Sequence, residues 1–584
     1  MTRTDSFVVG TLVVLLAIIA GLIGIPALQT ALGPAPSEPR FPGISDPAHE
    51  RPYVEGAIGA AVSVSPLTAM TQIDRDLVAL VFAGLVRNGP DGTIVPDLAE
   101  RWTTDDAGKT WTVDLRDDAV WHDGEPVTSE DVAFTIRTLQ DPAYTGPAAG
   151  SWQEVSVATP TPSRVVFTLK TPLGGFLQAL TQPIAPAHIL ADVPIDLLAD
   201  HPFGRQPIGS GPFQLVELTD AAALLTPALG SPIEGEEEPT PDPAAPATDS
   251  LGTIAPTARP ERPLPYLSSV ELRFYTDPEV LAADFRSGDL DAVSGISPQL
   301  AAELGKEDGA RLLRYPGSTL TTVLLNLRGR IHPEFTDLRV RTALLGAIDR
   351  ASIIESAFAM SAGAASGPIP PSSPLYDAAA STVVEYDRKT AGTHLKNAGW
   401  KKQDDGWHLP GAKKPLSIEL LSPTMGANPG LYATAEAVAQ DWRQLGLTVE
   451  HVALPPGEFV TERLATGDFQ VAVVDVVVGL DPDLYAVMAS SQTLTGGSNV
   501  AGLQSPVLDE LLKKARAPGT TAERKAAYSA LQKELAHRRY ILPIAFADEV
   551  VVVHDTVEGP VIRQVTDPSD RFWDVLTWRL ADDR

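Results

Sequence analysis

The chain contains no cysteine among its 584 residues. Without thiols it can form neither disulfides nor thiolate metal sites, and it has no cysteine nucleophile or lipid-modified cysteine. Basic residues are also scarce, because 45 Lys and Arg stand against 74 Asp and Glu and give a formal net charge of −29. Binding to nucleic-acid phosphates needs a basic surface, so nucleic acid is not an expected partner.

Recognisable catalytic motifs are missing as well. The triplet 108–110 (GKT) resembles the end of a phosphate-binding loop, but Thr103 stands where such a loop requires glycine. The triplet 209–211 (GSG) lacks the outer glycine of a nucleophile elbow and runs into Pro212. The ten histidines follow no metal-ligand spacing. We therefore expect a protein that is not an enzyme and that needs no metal or cofactor.

The residues that are present predict a large mixed α/β protein. The chain is longer than one hydrophobic core normally supports, so two or more lobes are expected. Residues 111–115 alternate as in a strand, and a capping box at 128–131 predicts a helix from near Ser129. Residues 435–445 form one helical face, closed by Gly446 and followed by a strand. Residues 337–358 have the pattern of a single long helix.

Two segments stand apart from this pattern. Residues 7–28 form an uncharged, mostly apolar run that matches the roughly 20 residues needed to cross a bilayer. We expect a retained N-terminal membrane anchor at 1–28, with a cleaved signal peptide as the alternative, a linker at 29–50 and a body outside the cytoplasm. Residues 227–265 hold ten prolines, an acidic cluster and no aromatic residue, which predicts a disordered surface insertion.

A specific block of the sequence resembles a known family. The block comprises residues 95–102 (VPDLAERW), 108–116 (GKTWTVDLR) and 120–132 (VWHDGEPVTSEDV). Further matching segments keep the family's order, at residues 65–85, 209–213, 325–350, 367–370 and 397–400. Together they resemble the extracytoplasmic solute-binding proteins of peptide, nickel and related ABC importers, solute-binding family 5, over about residues 55–580. The insertion and the missing lipid-attachment cysteine depart from that family's pattern.

The resemblance implies a periplasmic-binding-protein-like, two-lobed hinged fold with an extra inserted domain, preceded by one transmembrane helix. A first lobe is expected at 51–84, 205–288 and 536–584, the inserted domain at 85–204 and a second lobe at 289–535. The implied partners are a small-molecule ligand, most simply a peptide, and ABC permease subunits in the membrane. The protein is expected to be a monomer without a cofactor.

The resemblance also implies where the ligand is contacted. In peptide-binding members an aspartate that precedes an Asp-Pro-Asp-like stretch pairs with the ligand's α-ammonium, but Val478 holds that position here. Either Asp481 substitutes, Asp475 reaches in, or the ligand has no free ammonium at that point. The predicted ligand-binding residues are Ser65, Asp481, Asp483 and Tyr485. An oligosaccharide, opine or nickel-chelate receptor, or an anchored receptor without an importer, stays open as an alternative.

Overall fold

The computed structural model describes residues 51–89, 92–105, 108–148, 152–228, 265–493 and 497–581. The predicted anchor at 1–28, the linker at 29–50 and nearly all of the 227–265 insertion lie outside these residues. Within the described residues, none of the helices combines the length and apolar character that crossing a bilayer requires.

The described chain divides into two compact units. The second unit contains Pro316–Glu549 and Gln564–Thr566. The first unit contains the described residues up to Tyr315, together with Val550–Arg563 and 567–581. The units change over at Tyr315/Pro316 and at Glu549/Val550, later in the chain than the lobe boundaries predicted at 289 and 536.

The strands form several separate sheets. In chain order they are β1 Tyr53–Ile58, β2 Val86–Asn88, β3 Ile94–Pro96, β4 Ala99–Thr104, β5 Thr110–Leu115, β6 Val155–Thr161, β7 Arg164–Leu169, β8 Phe213–Leu218, β9 Ala222–Pro227, β10 Val270–Tyr275, β11 Ala292–Ser294, β12 Ala310–Tyr315, β13 Thr319–Leu325, β14 Ala362–Ala364, β15 Lys401–Gln403, β16 Gly406–His408, β17 Ser417–Pro423, β18 Thr448–Leu454, β19 Val471–Val477, β20 Leu542–Ala547, β21 Glu549–His554, β22 Val557–Glu558 and β23 Arg579–Leu580.

The α-helices alternate with these strands, as a mixed α/β protein requires. In chain order they are α1 Gln72–Val81, α2 Ser129–Gln140, α3 Phe176–Ala179, α4 Ala187–Leu190, α5 Pro278–Ser287, α6 Pro298–Leu304, α7 Leu338–Gly346, α8 Arg350–Phe358, α9 Arg388–Asn397, α10 Pro429–Leu445, α11 Tyr485–Met488, α12 Pro506–Arg516 and α13 Thr521–Arg538.

The first unit is built on a seven-stranded sheet in the order β12-β21-β11-β1-β10-β9-β8 and a separate four-stranded sheet β4-β5-β7-β6. In the larger sheet β1 runs parallel to both β10 and β11. Helix α5 covers one face by burying Leu281 and Phe285 against Val54 and Val293. In the smaller sheet β5 buries every second residue, which confirms the strand predicted at 111–115.

The capping box predicted at the start of α2 is confirmed. The Asp131 carboxylate accepts hydrogen bonds from the backbone N–H of Thr128 at 2.7 Å and from its hydroxyl at 3.0 Å. The Asp131 carboxylate also accepts a bond from the N–H of Ala187, 56 residues later, at 2.8 Å. The carboxylate that caps α2 therefore also holds the start of α4 next to the start of α2.

The second unit is built on a six-stranded sheet in the order β14-β20-β13-β19-β17-β18. Strand β17 is parallel to β18 and β19, whereas β13 is antiparallel to β19 and β20. Helix α10 buries the predicted face of Ala435, Val438, Ala439, Trp442 and Leu445 against this sheet. Gly446 closes the helix at φ 99°, a conformation that favours glycine, and β18 follows as predicted.

The prediction of one long helix over 337–358 is wrong, because the chain forms α7 and α8 with a break between them. At the break the Asp349 carboxylate accepts a hydrogen bond from the N–H of Ser352 and so starts a new helix. The N–H of Asp349 donates to the Asp441 carboxylate at 2.8 Å instead of to a carbonyl within the first helix. Two capping interactions therefore outweigh the continuous apolar pattern.

The chain enters and leaves the second unit at one end of its sheet. Strand β13 begins beside the end of β20, with Leu320 opposite Phe546. Just before β13, a Cβ on Gly317 would overlap the carbonyl oxygen of Ala547. The N–H of Val565 donates to the carbonyl of Pro316 at 3.0 Å at the same place. Strand β19 pairs antiparallel with β13, and β17 runs parallel to β19. Both β19 and β17 therefore also end at this end of the sheet.

Candidate functional site

The loop that follows β19 brings three of the predicted ligand residues together. Asp481 binds the guanidinium of Arg524 at 2.8 Å and accepts a hydrogen bond from the hydroxyl of Tyr528 at 3.2 Å. Both partners lie on α13, and burial raises the pKa of Tyr528 far above its usual range. Asp481 is therefore already neutralised by the protein, which the sequence did not indicate.

Asp483 and Tyr485 share a second arginine. Asp483 lies 3.1 Å from Arg516 and accepts a hydrogen bond from the N–H of Tyr485 at 3.0 Å. Burial raises the pKa of the Asp483 carboxyl, and Arg516 opposes that rise. The Arg516 guanidinium also stacks over the Tyr485 ring, 4.4 Å from its centre. These contacts hold the loop rigidly against α12.

The fourth predicted residue, Ser65, belongs to the first unit. Its side chain is 3% exposed, and its hydroxyl accepts a hydrogen bond from the N–H of Leu67 at 3.3 Å. The carbonyl of Ser65 accepts bonds from Thr68 and Ala69. In this structure Ser65 shapes a turn in the segment that leads to α1.

Asp475 differs from the other carboxylates of the second unit. It lies on β19 opposite Thr321 of β13, whose hydroxyl donates to its carboxylate at 2.6 Å. The side chain of Asn428, which caps α10, also acts to lower the pKa of Asp475. No Lys, Arg or His among the described residues forms an ion pair with it. Burial raises the pKa of Asp475 to about 6, and the interactions with Thr321 and Asn428 oppose that rise.

Exposed apolar side chains occur at or just beyond the ends of β19 and β17, the strands that end on this side of the sheet. Val477, at the end of β19, is 37% exposed. Met425, in the short connection between β17 and α10, is 59% exposed. This end of the sheet therefore presents apolar surface and one half-buried carboxylate, a combination common in small-molecule binding sites.

A serine, a histidine and a glutamate form a hydrogen-bonded chain that sequence reasoning missed. Ser422 Oγ lies 2.8 Å from His451 Nε2, and His451 Nδ1 lies 2.8 Å from a carboxylate oxygen of Glu436. A serine, a histidine and an acid that are hydrogen-bonded in this order are typical of the catalytic triads of serine hydrolases. However, Ser422 is completely buried, and its hydroxyl is also placed to donate to the carbonyl of Pro423 at 2.8 Å. The chain fastens α10 to β17 and β18, and no substrate reaches the serine in this structure.

The motifs that carry the family resemblance act as scaffold in the first unit. The N–H of Gly209 donates to Nδ1 of His122 at 3.2 Å, and Nε2 of His122 lies 3.0 Å from the carbonyl of Gly211. In this pattern Nε2 carries the proton and donates, and Nδ1 accepts through its lone pair. A Cβ on Gly209 or Gly211 would overlap the backbone of Val81. The glycines are therefore needed for close packing against α1.

The acidic and histidine side chains of the described chain are dispersed. Across the described residues, no group of three or more His, Asp or Glu side chains is arranged to hold a metal ion.

Comparison with known proteins gives a consistent result. The family model for bacterial extracellular solute-binding proteins, family 5, matches residues 93–230 and 238–499. Protein XP55 of Streptomyces lividans is 28% identical over 507 residues, which cover 86% of this chain and 85% of that protein. The nickel-binding periplasmic protein of Escherichia coli K12 is 26% identical over 522 residues, which cover 84% of this chain and 88% of that protein.

The fold matches solved structures as well. The oligopeptide-binding protein AppA of Bacillus subtilis, in complex with a nonapeptide, superposes with a TM-score of 0.68 at 23% identity. The match covers 92% of this chain and all of the AppA chain. At this identity the likeness establishes the mixed α/β fold, and it leaves the choice of ligand to the residues of the site.

Proposed function

Because the chain belongs to the bacterial extracellular solute-binding proteins of family 5, we propose that it is the extracytoplasmic substrate-binding component of an ABC importer. It captures a peptide-like solute and delivers it to the permease subunits in the membrane. The observation that carries this proposal is the family match over most of the folded chain, on a fold shared with a peptide-bound receptor. The protein works as a monomer and does not transform the solute.

We propose that the two compact units belong to two lobes that close around the solute about a hinge. Receptors of this kind move as rigid lobes about a few residues that absorb the change in backbone angles. The chain crosses between the units at 315/316, 549/550, 563/564 and 566/567, which supports a hinge at these positions. The four-stranded sheet β4-β5-β7-β6 supports a separate inserted domain within 85–204.

The proposed solute contacts are Tyr485 and the loop around it, from the second unit, and Ser65 from the first. Asp481 and Asp483 are proposed to act mainly by holding this loop, since each already has an arginine partner. A tyrosine held by a stacked guanidinium supplies a rigid, amphipathic wall for an apolar solute side chain.

We propose that residues 1–28 are retained as a membrane anchor and that 29–50 form the tether, so that the body lies outside the cytoplasm. Support comes from the length and lack of charge of residues 7–28. Mass spectrometry of the membrane-extracted protein tests this directly. A mass that begins at or near Met1 is expected, whereas a start between Ala27 and Arg40 would show cleavage.

A nickel chelate is the second candidate solute. The observations that favour it are the similarity to a nickel-binding periplasmic protein and the valine at position 478, where peptide-binding members carry an aspartate. A chelate would bring its own metal ligands and would need no metal-binding cluster on the protein.

Thermal-shift screening of tripeptides, oligosaccharides, opines and nickel chelates tests the proposed function. A true solute should stabilise the protein by about 2.7 kcal/mol at a hundredfold excess over Kd. Mass spectrometry of the solute after incubation should show it unchanged. Uptake of that solute by membrane vesicles that contain the neighbouring permease and ATPase should depend on this protein. Consumption of the solute, or uptake that does not depend on the protein, would contradict the proposal.

A further inference from the structure

A pocket of the second unit is lined by an arginine that forms no ion pair. Arg539 directly follows α13, and the other walls of the pocket come from α7, the segment after β14 and the start of β20. The pocket encloses about 350 Å³, part of which is open to solvent. Its apolar walls include Leu345, Pro368, Leu535 and Pro543.

The guanidinium of Arg539 is only partly used by the protein. Nη1 donates to the carbonyl of His537 at 3.2 Å. Nε is buried and has no hydrogen-bond partner among the described residues. No Asp or Glu of the described chain forms an ion pair with Arg539, and burial lowers its pKa. A buried donor on a cation is unfavourable unless a bound group accepts from it.

Two further arginines beside the pocket are held by backbone carbonyls. Arg341 donates through Nε and Nη2 to the carbonyl of Arg538, the residue before Arg539, at 3.0 and 2.8 Å. Arg350 donates at 2.7 Å to the carbonyl of Ala365, which directly precedes the pocket wall after β14. Carbonyls orient a guanidinium without cancelling its charge. Positive charge therefore accumulates around this pocket, although the whole chain carries a formal net charge of −29.

Acidic side chains of this region act on other arginines. Glu534 lies 3.2 Å from Arg538 and pairs with it. Glu385 acts to raise the pKa of Arg350, against the larger effect of burial. Neither acid acts on the pKa of Arg539. The positive charge in the pocket is therefore left for a bound anion to compensate.

The pocket lies apart from the loop proposed to contact the solute. Arg524, which pairs with Asp481 of that loop, lies near the start of α13, whereas Arg539 follows the end of the same helix. Helix α13 has 18 residues and is therefore about 27 Å long. A ligand in the pocket would not touch a solute held by the loop around Asp481.

We propose that this pocket is a second binding site, which takes a small organic anion consisting of a carboxylate on a short apolar body. The carboxylate accepts hydrogen bonds from the Nε and Nη2 edge of Arg539, the fork geometry in which guanidinium and carboxylate groups match. Ser366 and Thr382 also line the pocket and add hydroxyl groups near the anion. The apolar walls pack against the hydrocarbon part. This site goes beyond the proposed function, because it requires neither the solute nor the permease.

The test uses the full-length protein and two probes, isovalerate and its neutral isostere isovaleramide, at pH 7.5 and constant ionic strength. Saturation-transfer NMR, titrated to saturation, measures binding. Isovalerate should bind saturably, and isovaleramide should bind at least tenfold more weakly because it brings no charge to Arg539. Equal binding of the two probes, or no binding of isovalerate, would overturn the proposal.

Variants locate the site. Arg539→Gln removes the charge and should weaken isovalerate binding at least tenfold. Arg539→Lys keeps the charge but lacks the two-donor edge, so its affinity should lie between those of the parent and Arg539→Gln. Arg538→Gln is the matched control, because Arg538 is the next residue in the chain and pairs with Glu534. It should bind isovalerate as the parent does, and parent-like binding by Arg539→Gln would contradict the assignment.

A measurement on the parent protein covers the case in which Arg539→Gln does not fold. Phenylglyoxal labels accessible arginines, and peptide mapping by mass spectrometry reports the rate at each one. Isovalerate should slow labelling of Arg539 and leave the exposed Arg339 unaffected. Labelling of Arg539 that isovalerate does not slow would overturn the proposal. Solute binding and uptake should be unchanged in Arg539→Gln, so failure of this inference leaves the proposed function untouched.

Discussion

Two buried carboxylate sites, one in each unit, differ in how their charge is compensated. In the first unit Arg571 is 1% exposed and lies 2.8 Å from Glu55 and 2.7 Å from Asp76, and both acids are buried too. Tyr53 donates to Glu55 at 2.8 Å and completes the network. In the second unit the Asp475 carboxylate accepts a hydrogen bond from the neutral hydroxyl of Thr321 and forms no ion pair among the described residues. The compensated charges of the Arg571 network stabilise the fold, whereas burial of an unpaired carboxylate such as Asp475 is unfavourable for stability.

The largest effect is expected from breaking the compensated network. Arg571→Met leaves Glu55 and Asp76 buried without a cation, which should destabilise the protein by about 3–5 kcal/mol. Urea unfolding followed by circular dichroism measures this loss. Arg339→Met is the control, because Arg339 forms an exposed pair with Asp337 and its loss should leave stability nearly unchanged. Equal effects of the two changes would remove the distinction between compensated and surface charge.

A steric change at the strand crossing of the second unit should come next. Gly317→Ala places a methyl group against the carbonyl of Ala547, which should destabilise the protein by about 1–3 kcal/mol through overpacking. Gly363→Ala is the matched control in the same sheet, since a Cβ there meets no atom within 4 Å. Urea midpoints of the two variants should differ clearly. A tolerant Gly317→Ala protein would show that β13 and β20 separate easily at this point.

A smaller effect, of opposite sign, is expected at the uncompensated charge. The pKa of Asp475 rises from 3.8 to about 6 on folding, so the folded protein holds this proton more tightly than the unfolded chain. The parent therefore loses stability as the pH rises from about 4 to above 6. Asp475→Asn should be more stable than the parent by about 1–2 kcal/mol at pH 7.5, and the difference should vanish at pH 4. A difference that is independent of pH would contradict the raised pKa.

The smallest effect is expected in the long insertion of the first unit. Replacing residues 231–262 with a short Gly/Ser linker should change the unfolding free energy by less than about 1 kcal/mol, because loop closure costs only about 0.6 kcal/mol per doubling of length. Differential scanning calorimetry should show the same transition in both proteins. A much lower melting temperature would mean that the insertion packs on the unit that contains Arg571.

These differences show what the sequence could predict. The α10 face and the strand at 111–115 follow from periodicity, and the start of α2 follows from a local cap, because all three depend on neighbours within a few turns. The break at Asp349 was missed because one of its two causes, Asp441, lies 92 residues away.

The site was harder to predict than the fold. Asp481 and Asp483 were identified as candidate contacts, but Arg524, 43 residues further on, already pairs with Asp481. The Ser422–His451–Glu436 chain joins a strand, the next strand and the helix between them, with no spacing that periodicity marks. Ion-pair partners that are distant in sequence and meet only in the folded protein leave no local sequence pattern. The sequence therefore identified the candidate aspartates but could not show which of them form ion pairs with arginine.

The buried network of the first unit also determines when that unit can finish folding during synthesis. Arg571 is separated from Glu55 by 516 residues and from Asp76 by 495. At synthesis rates of about 5–20 residues per second, Glu55 and Asp76 emerge roughly half a minute to two minutes before their arginine. The sheet of the second unit, within Thr319–Ala547, is complete earlier. We therefore expect the first unit to stay unfinished until nearly all of the chain has been delivered, which keeps it in a form that a secretion channel can still accept.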